Sequence, residues 1–190
     1  KCIRFPATKV RLFKGRNSDG VRGIKLADGD EVVSMSILHH VNMDQEQKLA
    51  YLRYAAAKRR GEDPEKPEEI DEERLAALEE REEFILSITV NGYGKRTSSY
   101  EYRITGRGGS GLINIETSER NGDVIAAFPI EVQDQLMMVT DQGRLIRVPV
   151  HDVRIAGRNT QGVTLFKVGD EENIVSVDRI QETEDDEEDD

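Results

Sequence analysis

Tryptophan is absent, and only 36% of the 190 residues are apolar, which implies a modest core beneath a well solvated surface. The single cysteine, Cys2, excludes an internal disulfide and fits a reducing compartment. No stretch approaches the ~18 apolar residues of a membrane-spanning helix, and no basic-then-apolar leader opens the chain. Cytoplasm is therefore the expectation. The three histidines, His39, His40 and His151, have no cysteine or carboxylate at ligand spacing, so no metal is expected. No Ser-His-Asp or Cys-His set can be assembled from local spacing, and no acid–base cluster surrounds the five tyrosines. No catalytic residue is expected either.

What the sequence does have is a repeat. Gly106-Arg107-Gly108-Gly109-Ser110-Gly111 runs into the apolar Leu112-Ile113-Asn114-Ile115. Gly15-Arg16-Asn17-Ser18-Asp19-Gly20 and Gly157-Arg158-Asn159-Thr160-Gln161-Gly162 lead into similar runs. In each a Gly-Arg pair opens a six-residue loop that a second glycine closes. The spacing is 91 residues and then 51, an excess of 40. Residues 44 to 83, rich in Ala, Leu, Glu and Arg, account for the excess as an insertion. What is left is three units of about 50 residues, a period suited to four-stranded blades. Gly106, Gly108 and Gly111 also match a dinucleotide fingerprint, but strand-like residues follow where a helix would have to start.

The net charge of −11 conceals a segregated distribution. The insertion carries −6 and the segment 182–190 carries −8, which leaves +3 on the repeats. Residues 1–25, 92–111 and 143–162 hold 16 basic and 3 acidic side chains, while the rest of the repeat region holds 3 and 13. One edge of every unit is thus strongly basic.

Taken in order, 1–43 reads as an incomplete first blade. It has strands at Lys1–Phe5, Val21–Leu26 and Glu31–Ile37, the last two joined by the turn Ala27–Asp30. Residues 44–83 read as a charged helical insertion solvated at a loop tip. Its first helix runs Asp44–Arg60 with Leu49, Leu52, Ala55 and Ala56 inward, and Gly61 stops it. Its second lies within Glu68–Glu82 with Ile70, Leu75 and Leu78 inward. Residues 84–130 form a second blade with strands Phe84–Val90, Tyr93–Thr97, Leu112–Glu116 and Val124–Ile130, its hairpin set by Asn91-Gly92. Residues 131–181 form a third, with strands Leu136–Thr140, Arg144–Val148, Val163–Val168 and Ile174–Ile180. Residues 182–190 read as an acidic disordered tail. The fold class is all-β.

The basic residues recur on the second strand, the loop after it and the Gly-rich turn. They are Arg4, Lys9, Arg11 and Arg16, then Lys95, Arg96, Arg103 and Arg107, then Arg144, Arg147, Arg154 and Arg158. Stacked blades would align them into a stripe of guanidinium groups suited to a phosphate ladder. With no helix for a major groove and few aromatics for stacking, the expected partner is duplex DNA bound through its backbone, with Arg16, Arg107 and Arg158 holding the bend.

The run Asn91-Gly92-Tyr93-Gly94-Lys95-Arg96-Thr97 with the Gly106 loop, and the closing run Gly157–Val163, resemble the C-terminal domain of bacterial DNA gyrase A subunits. Lys1–Ile37 fits the same repeat. The resemblance implies a β-pinwheel whose blades exchange a strand and bend duplex DNA around a basic rim, three blades here being half of the family's six. It implies a parent ATP-dependent type II topoisomerase that introduces negative supercoils, built from two copies of the gyrase A subunit together with the gyrase B subunit. ATP and Mg2+ then belong to the parent complex, and its catalytic tyrosine and metal site to other parts of it. The family's wrapping box reads Gln, basic, Arg, Gly, Gly, basic, Gly and lies in its first blade, which this chain does not reach. The nearest match is Thr105–Gly111, where Gly106 and Ser110 replace the two basic positions. The alternatives are a protein-binding blade scaffold and the C-terminal domain of the topoisomerase IV A subunit.

Overall fold

A computed structural model describes residues 1–181, and the expected acidic tail at 182–190 lies outside the described residues. Strand β1 (Phe84–Thr89) turns back into β2 (Tyr93–Ser98) through Asn91-Gly92. Gly92, at φ +79°, donates its N–H to the Thr89 carbonyl at 3.0 Å. Strand β3 (Val124–Ile130) pairs along the other side of β1. Strands β4 (Gln135–Thr140), β5 (Leu145–Pro149) and β7 (Ile174–Ile180) repeat that plan in the third unit, in the order β5-β4-β7.

The fourth strand of the second blade is lent by the third unit. Strand β6 (Val163–Thr164) lies antiparallel to β2 through Tyr93↔Thr164 and Gly94↔Val163, giving the order β3-β1-β2-β6. The same loan is made one unit earlier. Leu112 and Cys2 exchange N–H···O bonds at 2.7 and 2.8 Å. Between the two sheets lies the main core, where Leu86, Ile88 and Ile130 meet Leu136, Met138, Val150, Val153 and Ile174. Phe166, just past the lent strand, is part of this core, so strand exchange and interblade packing are one event.

The first unit departs from its sequence pattern. Lys1–Phe5 contributes only bridges at Cys2 and Arg4, while Val21–Leu26 and Glu31–Ile37 are not strands. Among the described residues no counterpart of β1 is present to pair with Glu31–Ile37, and Val32, Val33, Met35 and Ile37 are exposed. Val21–Leu26, the counterpart of a lent strand, instead bonds to the Gly106 loop through the Gly23 carbonyl and the Lys25 N–H. Leu112–Glu116 and Val163–Val168 also shorten, to one bridge and two residues, because each crosses its neighbour only briefly.

The insertion is a docked helical hairpin rather than a solvated loop tip. Helix α1 (Gln45–Arg59) starts where the Asp44 carboxylate accepts the Gln47 N–H at 2.8 Å and ends before Gly61, at φ +79°. Helix α2 (Glu72–Glu80) is capped the same way by Asp71. Ile70, Leu75 and Leu78 are buried, as their spacing predicts, against Tyr51 and Ala55. The buried face of α1 is therefore the Tyr51–Ala55 stripe, while Leu49 is 43% exposed. The register is set by Tyr51, whose ring meets Tyr100 of the second blade edge to face at 5.4 Å, a pairing worth about 0.5–1.5 kcal/mol beyond area burial. The Tyr51 hydroxyl donates to Glu82 Oε2 at 2.8 Å and that of Tyr100 to the Leu78 carbonyl at 3.0 Å. Burial beside Glu82 raises both hydroxyls, that of Tyr100 to about 12.

Candidate nucleic-acid interface

Each unit carries a short 3₁₀ turn after its second-strand position, at Ala7–Lys9, Ser99–Glu101 and Val150–Asp152. The recurring arginines sort by what they do around these turns. Arg4, Arg96 and Arg147 are equivalent, and the first two reach forward to the next unit. Arg4 donates to the Ser99 carbonyl of the second unit at 2.8 Å and to the His39 carbonyl of its own unit at 3.0 Å. Arg96 donates to the Val153 and His151 carbonyls at 2.6 and 3.2 Å. Burial lowers both guanidinium groups, which stay charged throughout the physiological range.

Arg107 and Arg158 reach back. Arg107 donates to the Lys9 and Arg22 carbonyls at 3.1 and 3.0 Å. Arg158 donates to the equivalent Glu101 and Ile113 carbonyls at 3.1 and 2.7 Å. Every junction between consecutive units is thus clasped from both sides by arginine on backbone carbonyls. The Gly-loop arginines are not free tips, as the repeat pattern alone implies; two of the five N–H donors of each are committed to the neighbouring blade. Arg16, their equivalent in the first unit, is exposed.

Lys95 and Arg96 do not belong to the exposed rim. Strand β2 is central in its sheet, and Lys95 is fully buried with Arg96 8% exposed. The Lys95 ammonium donates to the Gly157 and Arg158 carbonyls at 2.6 and 2.7 Å and lies 3.2 Å from the Thr160 hydroxyl. Burial pulls it down to about 8, with Arg158 adding to the fall and Glu101 opposing it. Lys95 therefore fills the third unit's Gly-Arg loop. Arg144 is partly committed too, stacked 4.6 Å from the Phe166 ring centre and donating to Glu172 Oε2 at 2.5 Å. The Thr140 hydroxyl, the Gly169 N–H and Arg144 together hold that carboxyl below the usual range.

A third equivalent set is free. Arg11, Arg103 and Arg154 each stand two residues past a 3₁₀ turn and each is exposed. None has a side-chain hydrogen bond or ion pair among the described residues; Arg11 stacks on Phe13 at 5.2 Å. Lys9 and Arg147 are likewise exposed. The box-like loop Gly106–Gly111 is tied down by its backbone. Gly108 N–H donates to the Gly23 carbonyl at 2.5 Å, and Lys25 N–H to that of Gly109 at 2.8 Å. At Gly111 a Cβ would lie 2.4 Å from the Cys2 carbonyl oxygen, so only glycine allows this approach. Ser110 and Gly106 are exposed.

Two cations that the repeat could not flag, Lys48 and Arg53 of α1, face Arg103 and Arg158 across a cleft. A signal existed, because residues 45, 48, 49, 52, 53 and 56 form one helical stripe, but nothing in the sequence said what that stripe faces.

Antiparallel blades, of four strands in the second unit and three in the third, that lend strands to the unit before them and carry a recurrent basic position define a blade-repeat domain of the β-propeller class. Within that class the chain belongs to the DNA gyrase C-terminal domain, beta-propeller family, which matches residues 1–39, 83–131 and 134–181 and passes over the helical hairpin. Over 97% of its length it is 50% identical to the DNA gyrase A subunit of Granulibacter bethesdensis, covering 22% of that protein. Over 99% it is 38% identical to the DNA gyrase A subunit of Salmonella typhimurium, covering 17% of it. The solved C-terminal domain of a DNA topoisomerase IV has the same fold, with a TM-score of 0.64 over 93% of this chain and 42% of that one, at 17% identity. The chain spans about a fifth of the length of the curated relatives it matches.

Proposed function

We propose that this chain is the non-catalytic DNA-binding and wrapping module of a gyrase A subunit, bending duplex DNA around its basic rim. The parent would be an ATP-dependent type II topoisomerase that introduces negative supercoils in the cytoplasm, and its other components would be a second A subunit together with the gyrase B subunit. ATP and Mg2+ would act in those other parts. The observation that carries the reading is the free set Arg11, Arg103 and Arg154. One unpaired guanidinium at the same place on successive blades suits a bent phosphate backbone, whose elastic cost of order 1–6 kcal/mol per 20–30 base pairs demands contacts that recur along the path. Lys9, Arg16, Arg107, Arg144, Arg147 and Arg158 add charge along the same edge, while the buried Lys95 and Arg96, and Arg4, shape the blades behind it.

The test is to ligate nicked circular DNA with the chain bound. Wrapping shifts the linking number of the closed product, and its sign gives the hand. Changing Arg11, Arg103 and Arg154 together to Ala should abolish the shift while leaving the fold intact, since none of the three has a hydrogen-bonded partner to lose. No shift with the parent chain, or an equal shift with the triple variant, would reject the reading.

A further inference from the structure

The insertion places a second basic wall against one blade only. Between α1 and the loops that follow β2 lies a cleft of about 790 Å³. Lys48, Arg53 and Arg60 line it from the helix, and Arg103 and Arg158 from the blades, with Glu101 the single carboxylate. That carboxylate is already engaged, accepting the Arg158 backbone N–H at 2.9 Å. Arg60 is balanced by Glu62, to which it donates at 2.6 and 2.9 Å. Lys48, Arg53 and Arg103 have no such partner among the described residues. Leu52, Ala56 and Leu112 form an apolar floor, which weakens solvent screening and strengthens the field of the cations above it.

We propose that this cleft takes the phosphodiester backbone of duplex DNA, so that α1 extends the DNA path at the second blade beyond the rim. The inference rests on the DNA-binding reading given above, and three observations carry it. The cleft contains Arg103, a member of the free set, so it is continuous with the rim. Its positive charges outnumber the lining carboxylate Glu101. Burial and the neighbouring Arg158, Arg4 and Arg103 lower the Lys48 ammonium while Glu101 opposes the fall, and an anion between the cations would relieve that repulsion. Arg158 keeps three of its five N–H donors after clasping the second blade, and guanidinium forks match phosphate oxygens in pairs. The third unit has no counterpart of α1 among the described residues. The grip at Arg103 would therefore be two-sided where that at Arg154 is one-sided.

The test is the salt dependence of duplex binding by the intact chain and by the double variant Lys48→Gln with Arg53→Gln. Each neutralised phosphate contributes about 0.9 to the slope of log K against log salt, so losing two contacts should make the slope shallower by roughly 1.8. Lys48→Arg with the native Arg53 should keep the parent slope. Lys58→Gln, which removes an exposed α1 cation paired with Glu79, should also keep it. Unchanged helix content in the double variant shows that the hairpin is still docked. If the parent binds steeply and the double variant has the same slope, the cleft holds no phosphate and the inference falls while DNA binding stands. If the parent slope is flat, the DNA-binding reading falls as well. If a polyglutamate peptide binds the parent, loses affinity in the double variant, and leaves the DNA slopes equal, the cleft takes an acidic protein segment and the inference is overturned.

Discussion

Replacing each clasp arginine with alanine should cost stability in proportion to how well its carbonyl partners are shielded from water. Arg158 is half-buried and holds the Glu101 and Ile113 carbonyls, with its own N–H on the Glu101 carboxylate. Hydrogen bonds from a charged donor contribute about 1.5–3 kcal/mol when shielded. Ile113 is exposed, so its carbonyl is rehydrated when Arg158 goes, and Arg158→Ala should cost about 1.5–3 kcal/mol in total rather than twice that. Arg107 makes the equivalent pair of bonds from an exposed position, so Arg107→Ala should cost about 0.5–1 kcal/mol. Arg147 has no partner among the described residues, and Arg147→Ala should stay within about 0.5 kcal/mol of the parent. Urea unfolding followed by far-ultraviolet circular dichroism gives all three losses in the absence of DNA. If Arg158→Ala and Arg147→Ala unfold at the same urea concentration, the clasps contribute nothing, and the Gly-loop arginines are surface groups after all.

Two further expectations follow from individual residues. The folded-state value of about 8 for Lys95 lies below the unfolded value near 10.4, so between those limits the unfolded chain binds more protons. Stability should therefore rise with pH across that window relative to a Lys95→Met variant, and a constant difference between the two curves would remove burial as the cause. Gly92 and Gly143 share φ +79°, but a Cβ at Gly92 would lie 2.0 Å from the Phe166 carbonyl oxygen while one at Gly143 meets nothing within 4 Å. Gly143→Ala should cost only the left-handed backbone term of about 1–2 kcal/mol; Gly92→Ala should cost well beyond that by displacing β6, and equal losses in urea would show that the crossing is not tight.

How much of this was legible in the sequence depended on range. The Asn91-Gly92 hairpin, the stop at Gly61 and the inward Ile70, Leu75 and Leu78 are local, and dihedral preference or helical spacing sufficed to place them. The strand lent across blades was legible only through the family resemblance. Lys95 and Arg96 look like rim residues because a cation on a strand beside glycine reads as surface, and only the central place of β2 between β1 and β6 buries both of its faces. The sorting of the arginines was invisible for a related reason. Arg103 and Arg107 stand four residues apart in similar company, and it is the neighbouring blade that occupies one and leaves the other free. Glu31–Ile37 carried a sound strand pattern, but pattern alone cannot supply a partner.

The lent strand also fixes when a blade can be finished. Tyr93 pairs with Thr164, so β2 waits for residues about 70 positions further along the chain. At a synthesis rate of about 5–20 residues per second, that wait is roughly 4–14 s on the ribosome. Throughout it one side of β2 is an unpaired edge, and the Lys95 ammonium has not yet met the carbonyls of residues 157 to 160. The first and second blades are each completed by the unit after them, in the same direction as translation, so a nascent chain carries an unfinished edge forward from one to the next. A chain halted shortly before Val163 would present β2 unpaired, and aggregation of such truncated products should rise sharply at that point.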